Sequence, residues 1–127
     1  MQTRDKTALV IAGIPVIDMS LYHRIRFLVG DPAAWIGWAE DGTPRSALMV
    51  RDIEMERARK TARADEVTCP SEFEPTGGLS GDRGIATAQA TAEFLVRHDI
   101  GRAIVHRDLP VLFADCFRER GIDVVCD

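Results

Sequence analysis

Residues 102–125, RAIVHRDLPVLFADCFRERGIDVV, read as strand, helix, strand and decide the fold class. Arg102 to His106 is short, apolar and β-branched, as a buried strand should be. Asp108, with Pro110 two residues later, opens a helix that runs through Arg120, and Gly121 closes it at the position where a left-handed residue is needed. Ile122 to Val125 is then a second strand. Two strands joined by a helix form a βαβ-type unit, in which parallel strands are covered by the helix that connects them. The expectation is an α/β domain in which Leu112, Phe113 and Cys116 or Phe117 pack on a sheet that holds Val10, Ile104 and Val124.

Upstream of this unit, Gly84 to His98 has helical period, with Ile85, Ala88, Ala92 and Leu95 on one face. Pro70 to Asp82 is rich in Pro, Gly, Ser and acid and is the longest loop. Glu66-Val67-Thr68 is a short strand. Asp52 to Ala64 carries strong helix formers behind a capping Asp52, and its apolar positions Ile53, Ala58 and Ala62 leave most of its surface charged, which places it on the outside. Ala33 to Ala39 and Pro44 to Val50 flank Glu40-Asp41-Gly42-Thr43, a hairpin signal because the turn needs a positive φ that Gly supplies cheaply. Thr7 to Ala12, bounded by Gly13 and Pro15, reads as a central strand. Gly13 to Ser20 reads as loop, and Leu21 to Val29 mixes apolar and basic residues without a clear period.

A chain of 127 residues suits one domain, and 46% hydrophobic with 28% charged residues can build a real core, which argues against disorder. The net charge is -4 with no run of Lys or Arg, so nucleic acid is a poor partner and an anionic membrane surface repels the chain slightly. The longest apolar stretch, Ala8 to Ile17, is far short of the roughly 20 residues of a spanning helix. Asp5 dilutes the charge of Arg4 and Lys6 before it, Gly13 and Pro15 interrupt it, and no small-x-small site follows, so it does not read as a secretion signal. Cys69, Cys116 and Cys126 are odd in number and widely spaced, which fits free thiols in a reducing cytoplasm better than a disulfide or zinc set.

No complete catalytic constellation is present in the sequence. His23, His98 and His106 are scattered, and there is no H-E-x-x-H, G-x-S-x-G, P-loop or G-x-G-x-x-G after a strand. Gly77-Gly78, Gly81 and Gly84 form a glycine-dense loop before a helix, but it lacks the Lys and the preceding strong strand of a phosphate loop and reads as a flexible surface loop. Asp5, Asp18 and Asp31 do not assemble into the acidic cluster of a ribonuclease H-type nuclease. The basic cluster His23, Arg24 and Arg26, flanked by Tyr22 and Phe27, has two readings. One is a solvated or ion-paired structural patch; the other is a surface for a carboxylate or peptide terminus, to which the Arg fork is matched. Trp35 and Trp38, three apart in a strand, point to opposite faces, one inward and one outward, and an outward indole fits an interface better than a catalytic centre.

Several segments together, in order and spacing, carry a resemblance that spans nearly the whole chain. These are Ala8-Leu9-Val10-Ile11, Tyr22 to Phe27 with its terminal Arg26-Phe27, Arg51 to Ala58, Ala64 to Val67, and Asp108 to Val124. The sequence resembles the N-terminal domain of the creatinase, prolidase and Xaa-Pro aminopeptidase family. It departs from the family pattern at Ser20, His23 and Ile25, where that pattern has Asn, Tyr and Thr, which marks an atypical branch. The resemblance implies a three-layer α/β/α sandwich with a central mixed sheet, similar to ribonuclease H, and makes residues 1–127 a single non-catalytic domain. In the family the chemistry belongs to a C-terminal pita-bread domain, where two Asp, one His and two Glu hold two divalent metal ions, although creatinase itself uses none. No catalytic residue, metal or cofactor is expected in the present domain.

The partners implied are the chain's own catalytic domain and a second subunit in a homodimer, and the role is oligomer assembly and control of active-site access. Tyr22, His23, Arg24 and Arg26 are the residues the resemblance sets at that interface. The parent would be a C–N bond hydrolase, most plainly a metal-dependent Xaa-Pro peptidase. The alternative is a stand-alone peptide- or protein-binding module of the same fold, by analogy with family relatives in chromatin assembly that have lost the catalytic centre.

Overall fold

The computed structural model describes residues 6–127; Arg4 and Asp5, considered above, lie outside the described residues. Six strands form one mixed sheet in the order β4-β3-β2-β1-β5-β6. The strands are β1 (Lys6–Gly13), β2 (Ala33–Glu40), β3 (Thr43–Met49), β4 (Glu66–Thr68), β5 (Ile100–Val105) and β6 (Asp123–Cys126). β2 runs antiparallel to both β1 and β3, whereas β1 with β5, β5 with β6 and β3 with β4 are parallel. The β2–β3 hairpin turns at Asp41 and Gly42, both with positive φ (51° and 79°), the conformation a two-residue hairpin demands.

Helices cover both faces, giving the expected three layers. On one face lie α3 (Arg83–Arg97) and α4 (Val111–Glu119). Alternate strand residues Val10, Ile36 and Met49 meet Phe94, Phe113 and Phe117 there. Phe113 and Phe117 are both buried, as the α4 pattern required, and Leu112 and Cys116 pack partly buried beside them. Burial of each such large side chain stabilises by roughly 1.5–3 kcal/mol. α3 and α4 are also tied by charge: Glu93 accepts hydrogen bonds from Arg97 (2.8 Å) and Arg120 (2.6 Å). Burial pushes the Glu93 carboxyl up, but the two guanidinium groups outweigh it and hold the group below its ordinary value.

On the other face lie α1 (Met19–Ile25) and α2 (Met55–Thr61), over Leu21, Ile25, Phe27, Trp35, Leu48 and Ala58. Arg57 of α2 stacks 4.2 Å over the Phe27 ring and donates to the Leu28 carbonyl, which fixes α2 against the chain leaving α1.

Several elements differ from the sequence reading. The segment without a period, Leu21 to Val29, contains α1, capped by Asp18, whose carboxylate accepts from the Leu21 N–H. Asp52 does not open a long helix: Asp52–Glu54 is a 3-10 turn, its carboxylate accepts from its neighbour Ile53, and α2 starts only at Met55. Ile53, read as a core position, is exposed, and so is Ile85, because α3 turns Ala88, Ala92 and Leu95 to the sheet instead. The cap of α3 is Asp82, accepting from Ile85 at 3.0 Å. α4 begins after Pro110 rather than at Asp108, since the ring fixes φ at the boundary and the helix starts at the next residue. β5 and β6 are shifted by one or two residues from the predicted bounds. Trp35 and Trp38 do face opposite ways, but neither stands free on the surface: Trp38 packs against Phe94 of α3, and Trp35 lies along the sheet beneath Arg24 of α1. Among the described residues no helix is long and apolar enough to cross a membrane.

Candidate functional site

α1 packs on β1 and β2 while α2 packs on β4, so the two helices leave a gap over the middle of the sheet. Their trailing ends are joined by one hydrogen bond, Arg63 N–H to the Ile25 carbonyl at 2.8 Å. The gap is an open trough of about 700 Å³. Ile11 of β1 and Trp35 of β2 form its floor; His23 and Arg24 of α1 stand on one side, and Ser46, Arg63 and Asp65 on the other. His106, just past β5, closes one end, where the trough runs on past Ser20 to Arg107 and Asp108. The opposite end continues over Leu9, Gly37 and Pro44.

The floor is prearranged. The indole of Trp35 lies across Gly37, two residues on along the same face, where a Cβ would collide with the ring. Above the indole sits the Arg24 guanidinium, 4.7 Å from the ring centre, so the π face holds the cation while its N–H groups stay free for a ligand. Asp65, the acid of the trough, is occupied: its Oδ2 accepts from the Ser46 N–H at 2.8 Å, and the Ser46 Oγ accepts from the Asp65 N–H at 3.0 Å.

Of the four residues singled out from the sequence, the structure brings His23 and Arg24 to the trough and turns Tyr22 and Arg26 away from it. Arg26 ends α1 in a left-handed conformation (φ 53°) and lies exposed, 5.9 Å over the Tyr22 ring, in no ion pair. The residues missed are Arg63, Ser46 and His106, which come from a loop, a strand and a strand end. The trace they leave in the sequence is W-x-G at 35–37, a large ring beside a residue with no side chain.

The two divalent ions that the resemblance assigns to a catalytic domain do not fit here. Among the described residues no three His, Cys, Asp or Glu side chains come together as a metal would require. The three cysteines are free, with Cys69 buried and Cys126 exposed.

No protein-family model matches the sequence, and no curated protein does. Solved structures do. An Xaa-Pro aminopeptidase from Streptococcus pyogenes superimposes with a TM-score of 0.64 at 14% identity, over 94% of this chain and 77% of that one. The prolidase from Pyrococcus horikoshii gives 0.61 at 14% identity, over 95% of this chain and 28% of that one. The Xaa-Pro dipeptidase from Bacillus anthracis gives 0.60 at 14% identity, over 97% and 28% respectively. The chain has the fold of a part of these Xaa-Pro peptidases. It spans little more than a quarter of the prolidase and the dipeptidase, so the shared Xaa-Pro peptidase fold is that of one domain within a longer chain.

Proposed function

We propose that this chain is the non-catalytic N-terminal domain of a hydrolase of the creatinase, prolidase and Xaa-Pro peptidase type. It serves oligomer assembly and shapes access to an active site carried by its own catalytic domain or that of a second subunit. The observation that supports this reading is the unequal coverage: nearly all of this chain aligns with about a quarter of each prolidase-type chain, at a fold-level TM-score of about 0.6. The shortage of clustered metal donors in the described residues fits a division of labour in which two divalent ions and the scission of an Xaa-Pro or other C–N bond belong to the other domain. A location in the cytoplasm agrees with the free thiols, and the second subunit of a homodimer completes the assembly we propose. His23 and Arg26, on the exposed side of α1 and its cap, are the residues that would border the entrance and attract the carboxylate end of a short peptide.

The second reading, a stand-alone binding module, is favoured by the trough, which is a ligand-sized depression built wholly from this chain. The genomic reading frame beyond Asp127 separates the two. A continuing frame with the five metal-binding side chains of a pita-bread domain supports the accessory domain; a stop codon at that point overturns it in favour of the module.

A further inference from the structure

The chain carries a net charge of -4, yet Arg24 and Arg63 line the trough over the middle of its sheet. About half of its arginines are tied to carboxylates, as in Arg57–Glu54, Arg83–Asp31, Arg97–Glu93 and Arg120–Glu93, and Arg26, Arg59 and Arg118 are single exposed cations elsewhere on the surface. Arg24, Arg63 and Arg107, all on the trough or its extension, are in no ion pair. Guanidinium groups gathered in a concavity reinforce one another toward an anion, although Asp65 lies in the trough and Asp108 and Asp127 beside Arg107 in its extension.

The trough is also placed where open α/β sheets bind ligands. After β1 the chain passes to α1 on one face; after the neighbouring parallel β5 it passes to α4 on the other. Helices leaving two adjacent parallel strands to opposite sides open a crevice at the carboxyl ends of those strands, and the His106 end of the trough lies there.

We propose that the trough is a binding site for a small organic carboxylate that carries an apolar group. The carboxylate is held by Arg24 and Arg63, the Ser46 hydroxyl being engaged with Asp65, and the apolar group lies along Leu9, Trp35 and Pro44. The polarity of the lining sets the orientation, since Arg24 and Arg63 stand at α1 and the α2–β4 loop whereas the far lobe, whose Arg45 is paired with Glu66, is the more apolar part. Asp65 at the same rim disfavours a compact dianion, which would have to set one of its oxygens against that carboxylate, and so favours a monoanion over inorganic phosphate. Trp35 fixes Arg24 before any ligand arrives, so little side-chain entropy is lost on binding. This inference needs no catalytic domain and stands apart from the access role proposed above.

The test is a titration of the 127-residue chain, followed by amide chemical shifts and by calorimetry, with N-acetylleucine, N-acetylleucinamide, acetate and inorganic phosphate. N-acetylleucine is expected to saturate, with shifts confined to α1, the trough-facing residues of β1, β2 and β3, and the α2–β4 loop. The uncharged amide and the tail-less acetate should each bind about tenfold more weakly or worse, as loss of a charge-assisted pair or of a buried isobutyl group requires. Arg24→Ala and Arg63→Ala should each weaken N-acetylleucine by about tenfold, while Arg59→Ala, an exposed arginine of α2 away from the trough, leaves it unchanged. Arg63 makes no side-chain contact that α2 depends on, so its variant decides the matter even if Arg24→Ala unfolds. Absence of saturation by N-acetylleucine overturns the proposal. So does an amide or phosphate that binds as tightly, or wild-type affinity in the Arg63 variant.

Discussion

The Arg24 guanidinium lies 4.7 Å from the centre of the Trp35 indole, cation above and sheet below, and the ring reaches that position because residue 37 beneath it is glycine. Everything proposed for the trough depends on this stack. Gly37→Ala should therefore be costly although alanine is small and its backbone conformation is open to any residue. The added methyl meets the ring itself, so the indole must move or the strand must shift, with an expected loss of about 1–3 kcal/mol, the usual range for overpacking. Denaturant unfolding measures the loss, and a change in tryptophan emission reports the displaced ring. Wild-type stability with unchanged emission would show that the ring does not rest on Gly37.

A second substitution tests the other layer. Phe113 is 2% exposed and packs in the core between α4 and the sheet. Phe113→Ala should cost about 3–5 kcal/mol in denaturant unfolding, the transfer of the ring plus the cavity it leaves. A loss below about 1 kcal/mol would mean that α4 presents a different face.

The β2–β3 hairpin and α4 were legible in the sequence because their signals are local: Asp41-Gly42 supplies the turn, and Phe113 and Phe117 repeat four apart behind Pro110. α1 was not, since a helix of two turns shows only one apolar repeat, Leu21 with Ile25, and its cap Asp18 stands in a stretch that otherwise reads as loop. The charge cluster on α1 was equally visible, but not its division. The helical period sends His23 and Arg24 to the gap, while the left-handed turn at Arg26 sends that side chain back over Tyr22. Arg63, Ser46 and His106 join the site from a loop, a strand and a strand end that only the tertiary fold brings together, which no local pattern records.

His98 gives the fold a pH dependence whose sign can be worked out. It caps α3, stacked 4.1 Å from Phe94 and 5.2 Å from Trp38. Burial pulls its pKa below the ordinary value, against the opposing charges of Glu66, Glu40 and Asp99 and with that of Lys6. The unfolded chain therefore takes up the proton first. Stability is full above the unfolded value and falls as pH drops below it, until the folded imidazole titrates in turn. Unfolding free energies from about pH 7.5 to about pH 5.5 should decline more steeply in the wild type than in His98→Phe. Parallel slopes would assign the pH dependence to other groups.

The access role makes a kinetic expectation for the protein in which this chain adjoins a catalytic domain. Arg26 is in no ion pair, so its removal should leave stability nearly unchanged. A charge at a rim acts on encounter and orientation, so Arg26→Ala and His23→Ala should raise KM for a short peptide by about threefold or more with a smaller effect on kcat, and high salt should shrink the difference. An unchanged KM with a lowered unfolding midpoint would make Arg26 a structural residue.

The proposal that the metal-dependent chemistry belongs to another domain is tested most directly by metal analysis and peptide hydrolysis on the same preparation. The 127-residue chain, incubated with Mn²⁺ or Co²⁺ and dialysed, is expected to retain no stoichiometric metal and to hydrolyse Xaa-Pro dipeptides no faster than the buffer, because no set of donors converges among its described residues. One equivalent or more of retained metal, together with turnover that survives repurification and tracks the protein, would contradict it.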